Sequence, residues 1–377
     1  MMVGALFAGL VLEVVVSFSS ISQNFHTIMI LLGEISVLIL LLAWNIRKRM
    51  LARVGVAIII AAILGSVGKE IHAWFTHDRY EVMKGEVDRW WEYQPFRSGN
   101  KLVVLENSAT ETLEGDLPSI TGAYALYPVY AAAVQAIYPR PNNVLNYFMH
   151  EKLNTGGSNV IFEELLAGKV DILFALAPSA EQLADADAAG LTYTMTPLGR
   201  DAFVFYVNAK NPISNLTVND IRGIYSGRIT NWKEVGAPKR AKIIPFQRNK
   251  NSGSQTTLER IMGDTPIMPP LEEDNLGGMG DIIRDTADYR NFDEALGFSF
   301  RYYATEMVRN DKIKLLSING IAPTSENIAN GSYPFIATAY VITVKERTGN
   351  VQKFIDFMLS LQGREIIERT GYVFYTE

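Results

Sequence analysis

Residues 246–258 read FQRNKNSGSQTTL, and the reading of this stretch decides the rest. It follows the apolar run Ile243, Ile244, Pro245 and Phe246 and leads into a helical pattern at Thr256–Met262. A strand that ends in a Ser-Gly-Ser turn and feeds a helix aims several backbone N–H groups at one point. The helix dipole favours negative charge at that same point. Arg248 stands four residues before Ser252, so a guanidinium fork and the hydroxyls of Ser252 and Ser254 converge on one oxyanion, with Gly253 allowing close backbone approach. Asn, Lys, Ser and Gly are also ordinary surface-loop residues, so on local pattern alone an anion site and a plain loop both stand.

Outward from this loop, short β-rich runs alternate with helical patterns from Lys101 onward. Lys101–Leu105, Val144–Phe148, Val170–Ala175 and Ala202–Val207 read as strands, and an aromatic-rich strand follows Gly297. Tyr127–Ile137, Ile161–Ala167 and Val351–Arg369 read as helices, and Thr217 with Asp220 forms a capping pattern for a helix to Tyr225. This alternation argues for an α/β fold. Ligands in such folds sit beyond the carboxyl ends of strands. Two further junctions have suitable chemistry, Thr121–Leu126 and NTGGSN at 154–159. Each taken singly is also what an ordinary helix cap looks like.

The N-terminal region has a different character. Three apolar runs, Val3–Phe18, Ile28–Ile46 and Val54–Val67, predict transmembrane helices over about 3–20, 28–46 and 54–70. Arg47, Lys48, Arg49 and Arg53 lie between the second and third runs, whereas the first link lacks Lys and Arg. The positive-inside rule then puts everything beyond about residue 70 outside the cell, with 71–100 as a juxtamembrane linker. A cleaved signal peptide is the competing reading of residues 1–20, although Glu13 interrupts the apolar stretch and no basic segment precedes it. The chain has no cysteine, which excludes disulfides, thiol catalysis and a lipid carried on cysteine. Its net charge of −5 becomes −7 once the +2 of residues 1–75 is set aside, so the exterior part is no general nucleic-acid binder.

With the three junctions in view, the chain resembles the substrate-binding protein family of phosphate-specific ABC transporters, from about Leu117 to Tyr372. The resemblance is carried by RDAFVFYVNAKNPISNLTVNDIRGIYSGRITNWKEVG (200–236), IIPFQRNKNSGSQTT (243–257), LGFSFRYY (296–303), LSINGIAPTSENIANGSYPF (316–335) and LSLQGREIIERTGYV (359–373). It implies a periplasmic-binding-protein-like fold of the second type, two α/β lobes joined by two crossover strands. Lobe one would comprise 101–198 plus 296–377, and lobe two 199–295. The family's binding residues map onto Arg248, Ser252, Gly253 and Ser254 in lobe two and Ser158 in lobe one. The first junction, usually a Ser or Thr followed by an apolar residue, reads Tyr124, Ala125 and Leu126. Where the family has Ser-Asp-Ala-Pro, this chain has Ala175, Leu176, Ala177 and Pro178. Without that aspartate the resemblance implies poor discrimination between phosphate and sulfate, with space for a larger anion whose organic part lies near Leu176 and Tyr124. Asp171 and Asp201 are the alternative acceptors, or else they cap strand ends.

The function implied is a membrane-tethered extracytoplasmic binding protein that captures phosphate or a related oxyanion for the permease subunits of an ABC importer. An extracellular anion sensor not coupled to transport is the alternative. No cofactor or metal is expected, nor an enzymatic activity. His26, His72, His77 and His150 lack metal-ligand spacing, and no nucleophile-plus-base arrangement is evident.

Overall fold

The computed structural model describes residues 90–141, 152–239, 241–248, 250–270, 293–308, 311–347 and 349–376, with the short segments 65, 68, 82–83 and 289–290. The three expected N-terminal spans, the linker up to residue 89 and the expected strand Val144–Phe148 lie outside the described residues, apart from those few positions. Among the described residues no helix is long and apolar enough to cross a membrane.

The strands in chain order are β1 (Val82–Met83), β2 (Ile120–Gly122), β3 (Ile172–Leu176), β4 (Thr194–Asn208), β5 (Asn215–Leu216), β6 (Ile244–Pro245), β7 (Tyr289–Arg290), β8 (Ala295–Phe300), β9 (Ile313–Leu315), β10 (Ser317–Ile318), β11 (Ile336–Thr343) and β12 (Val373–Phe374). The α-helices are α1 (Tyr127–Ile137), α2 (Ser158–Leu166), α3 (Ala180–Ala188), α4 (Val218–Tyr225), α5 (Gly253–Met262), α6 (Ser325–Ala329), α7 (Gly349–Leu359) and α8 (Leu361–Thr370). A mixed sheet runs in the order β2-β3-β11-β4-β8-β6, so the expected α/β class holds.

The 15-residue strand β4 is the spine of this sheet. Its first part pairs antiparallel with β11 as far as Ala202. From Phe203 onward it pairs with β8, and near its end with β9. The packing changes with the partner. Leu198 belongs to a hydrophobic cluster with Tyr130, Phe174, Phe354 and Ile366, whereas Phe203 and Phe205 belong to a second cluster with Tyr225, Leu258, Phe298, Leu316, Ile328 and Tyr333. β3 shows the two-residue period of a strand covered on both faces. Its Ile172 and Phe174 enter the first cluster, and Leu173 and Ala175 enter a third with Ile161, Phe162 and Leu165 of α2.

Two expected elements take another form. Lys101–Leu105 forms no strand. Leu102, Val103 and Leu105 pack on the first core while Val104 is exposed, and the segment is held by side chains of α8. Glu365 accepts from Glu106 N, Gln362 accepts from Thr110 N, and Arg369 donates to the Val104 carbonyl. The apolar pattern is satisfied by packing, and the backbone by side chains instead of a ladder. The single helix expected over Val351–Arg369 is two helices. Ser360 caps the second by accepting from Gly363 N at 3.3 Å, and its hydroxyl donates to the Phe357 carbonyl at 2.7 Å.

Phe203 is fully buried and meets the rings of Phe205, Phe298 and Phe300 at centroid distances of 5.3 to 5.5 Å. Phe203→Ala is expected to cost about 3–5 kcal/mol of stability, read as a lowered urea midpoint at unchanged slope. A loss under 1 kcal/mol would mean that this cluster is not close-packed.

Candidate functional site

The carboxyl ends of several parallel strands meet at one place. β2 lies beside β3, and on its other side it makes bridges with the segment around Leu153 and Gly156. Their ends deliver three loops together: the turn Tyr124–Leu126, the start of α2 at Ser158, and Leu176 at the end of β3. Gly122 makes the approach possible, because a Cβ there would lie 2.6 Å from Tyr130 Cε1 and 2.8 Å from the Phe174 carbonyl oxygen. From the other core, β6 pairs parallel with β8 and leads into the loop before α5.

A cavity of about 110 Å³ lies between these loops. All the residues expected from the sequence line it. Tyr124, Ala125 and Leu126 come from the first turn, Ser158 from the second, and Arg248, Ser252, Gly253 and Ser254 from the third. The Gly253 N–H donates to Ser158 Oγ at 3.0 Å, so the two sides are in direct contact. Leu176 also lines the cavity, and its Cδ1 lies 3.4 Å from the place a Cβ on Gly253 would take.

The helices α2 and α5 both begin at this cavity. Ser252 is the N-cap of α5 and accepts from Gln255 N at 3.2 Å, and Gln255 Oε1 in turn accepts from Arg248 N at 2.9 Å. The loop is thereby clamped to the first turn of the helix. At α2 the N-cap is Gly157, which supplies no side-chain cap, so first-turn N–H groups remain available. Both dipoles favour an anion here.

Arg248 carries the charge. Its Nε is buried and has no hydrogen-bond partner, and its guanidinium forms no ion pair among the described residues. Its charge reaches Tyr206, where it partly offsets the burial that pushes that phenol up to about 12. Lys250, two residues on, is neutralised differently. Its Nζ lies 2.7 Å from Glu181 Oε2, which also accepts from Asn251 Nδ2 at 2.8 Å. Hydrogen bonds from Lys250 and Asn251, then the Lys250 charge, hold the Glu181 carboxyl below its ordinary range.

Of the two alternative acceptors, Asp171 binds Ser119, whose N–H and hydroxyl donate to it at 2.9 and 2.8 Å. It does not line the cavity. Asp201 does line it, but its oxygens accept from Ala202 N at 2.9 Å and Tyr302 N at 3.0 Å. Arg301 Nε lies 3.4 Å from the same carboxylate, an ion-pair contact without hydrogen-bond geometry.

Sequence reasoning missed Thr256, whose buried hydroxyl has no partner and whose residue lines the cavity. The signal was present, since Thr256 stands four residues after Ser252 and so shares its helix face. Tyr372 also lines the cavity and donates to the Ala125 carbonyl at 2.6 Å. No local pattern links residues so far apart.

Comparison with known proteins follows from this geometry. The PBP superfamily domain matches residues 107–361. The phosphate-binding protein PstS of Bacillus subtilis (strain 168) is 29% identical over 276 residues, covering 71% of this chain and 83% of that protein. The PstS of Borreliella burgdorferi is 28% identical over 182 residues, covering 47% of this chain and 64% of that one. A Clostridium perfringens protein assigned to phosphate ABC transport and crystallised with bound phosphate aligns with a TM-score of 0.50 at 23% identity, over 69% of this chain and all of that one. That likeness concerns the fold.

Burial raises the Asp201 carboxyl from 3.8 to about 6, against the opposing pull of Arg301 and two backbone N–H groups. Between those values the native state holds a proton that the unfolded chain has released. Stability therefore falls as pH rises from about 4 to about 6, by at most about 3 kcal/mol from this group. Asp201→Asn is expected to flatten that part of the curve relative to the unaltered chain in urea titrations at fixed pH. Parallel curves would mean that Asp201 stays ionised throughout.

Proposed function

The chain belongs to the PBP superfamily, and from that premise we propose that it is an extracytoplasmic solute-binding protein that captures phosphate or a related small oxyanion for an ABC importer. The observation that carries this reading is Arg248, a guanidinium with a buried Nε lacking a partner, at a cavity ringed by Ser158, Ser252, Ser254 and two helix starts. A buried guanidinium N–H without an acceptor is unfavourable, and an oxyanion supplies the acceptor together with the opposite charge. The PstS relatives support phosphate as the first ligand to examine.

Capture is by closure of two lobes. We assign the first lobe to 101–198 with 296–377 and the second to 199–295; Tyr302, Tyr303 and Met307 pack in the first core, while Leu316, Ile328 and Tyr333 reach across to the second. Strand β4 is then one crossover. Tyr124, Ala125, Leu126 and Ser158 approach the anion from one side and Arg248, Ser252, Gly253 and Ser254 from the other. A ligand that bridges both sides stabilises the closed form. The apolar runs at 3–20, 28–46 and 54–70 support a multi-pass membrane tether that keeps the binding domain beside its permease.

Arg248→Ala is expected to weaken phosphate binding by about 2 kcal/mol or more, roughly thirtyfold, in isothermal titration of the 377-residue chain. Unchanged affinity would move the site elsewhere.

A further inference from the structure

The charge and most of the hydroxyl donors at this cavity come from one side, while the other side adds Ser158 and the start of α2 to a wall that is otherwise largely carbon. Arg248, Ser254 and Thr256 present N–H and O–H groups, and α5 presents its N-terminus. Against them stands Leu176, whose Cδ1 is as close to the Gly253 Cβ position as Ser158 Oγ is, 3.4 Å in each case. Ala125, Leu126 and Phe162 continue the apolar wall.

Acceptors are scarce on that wall. Asp201 is the only carboxylate lining the cavity among the described residues, and its oxygens are taken up by Ala202 N, Tyr302 N and the Arg301 contact. The carbonyls that follow Leu176 are also engaged, since Arg260 Nη2 donates to Ala177 O at 3.1 Å and to Pro178 O at 2.8 Å. A protonated oxygen of a bare phosphate, turned toward Leu176, therefore meets a hydrocarbon side chain and not a carboxylate.

Space points the same way. A single buried water needs roughly 10–15 Å³ on this measure, and the cavity, at about 110 Å³, is several times larger. A bare tetrahedral oxyanion has five non-hydrogen atoms.

We propose that the site takes a phosphoryl dianion bearing a small carbon substituent, a phosphonate or a phosphate monoester, with its terminal oxygens on Arg248 and the hydroxyls and its substituent against Leu176. This rests on the oxyanion reading of the Arg248 site and narrows its ligand class. The two sources share one recognition chemistry, and the binding experiment separates them.

The test is isothermal titration of the 377-residue chain with inorganic phosphate, sulfate, methylphosphonate and methyl phosphate. The expected result is that at least one methylated anion binds as tightly as phosphate or tighter; which of them does so distinguishes phosphonate from ester. Leu176→Asp is expected to weaken that ligand at least tenfold relative to phosphate. Leu176→Ala, a gentler change, should shift preference toward ethyl-substituted anions. Phosphate binding with both methylated anions tenfold or more weaker overturns this proposal and leaves the oxyanion reading standing. No binding of any of the four overturns both.

Discussion

The Nε of Arg248 is removed from water without a hydrogen-bond partner in the protein, and much of the surrounding structure is arranged to keep it so. A guanidinium left free to move would swing to solvent or to the nearest carboxylate. Here its backbone is fixed by Gln255, which is itself on the first turn of the helix that Ser252 caps. The nearby acid, Glu181, is occupied by Lys250 and Asn251. The loop thus carries two cations within three positions, one neutralised by a fixed partner and one without an ion pair among the described residues. Asn251 adopts a left-handed backbone conformation with φ of 65° at the join, which Asn tolerates better than most residues.

Such a loop needs a rigid base, and strand β4 supplies it. The strand exchanges β11 for β8 between Ala202 and Phe203, and residues near that exchange, Asp201, Ser299, Phe300, Ala337 and Ala339, line the cavity floor. Asp201 sits at this point with its charge disfavoured by burial, and hydrogen bonds to Ala202 and Tyr302 fix the carboxylate to both neighbouring strand ends. It behaves as a structural tie across the floor.

What was legible in the sequence was what depends on neighbours along the chain. Arg248 and the Ser-Gly-Ser turn could be read because a strand end, a cap and a helix start follow one another within a few residues. The capping pair Thr217 and Asp220 was legible for the same reason, and both of its bonds form. Elements that depend on distant partners were not legible. The apolar pattern of Lys101–Leu105 suited a strand, but α8, some 260 residues later, holds the segment that follows it. The break at Ser360 was hidden because apolar spacing persists across it. A Cβ on Gly363 would lie 2.2 Å from the Met358 carbonyl, so that glycine marks a close backbone approach that periodicity cannot register.

The electrostatics of capture follow from the contrast between the whole and the part. The region beyond residue 75 carries a net charge of −7, so an approaching anion is repelled at long range. At physiological ionic strength that repulsion fades beyond about 8 Å, whereas buried groups are screened far less. On the proposed reading, affinity rests on the helix starts and the Arg248 guanidinium at the cavity, and the acidic surface sets mainly the rate of arrival. The surface charge that lies beside the entrance is paired, Lys250 with Glu181, and adds little to either effect. A site of this kind can retain its ligand while the charge pattern of its surroundings changes. What it cannot tolerate is loss of the geometry that points Arg248, two helix starts and Leu176 at the same small volume.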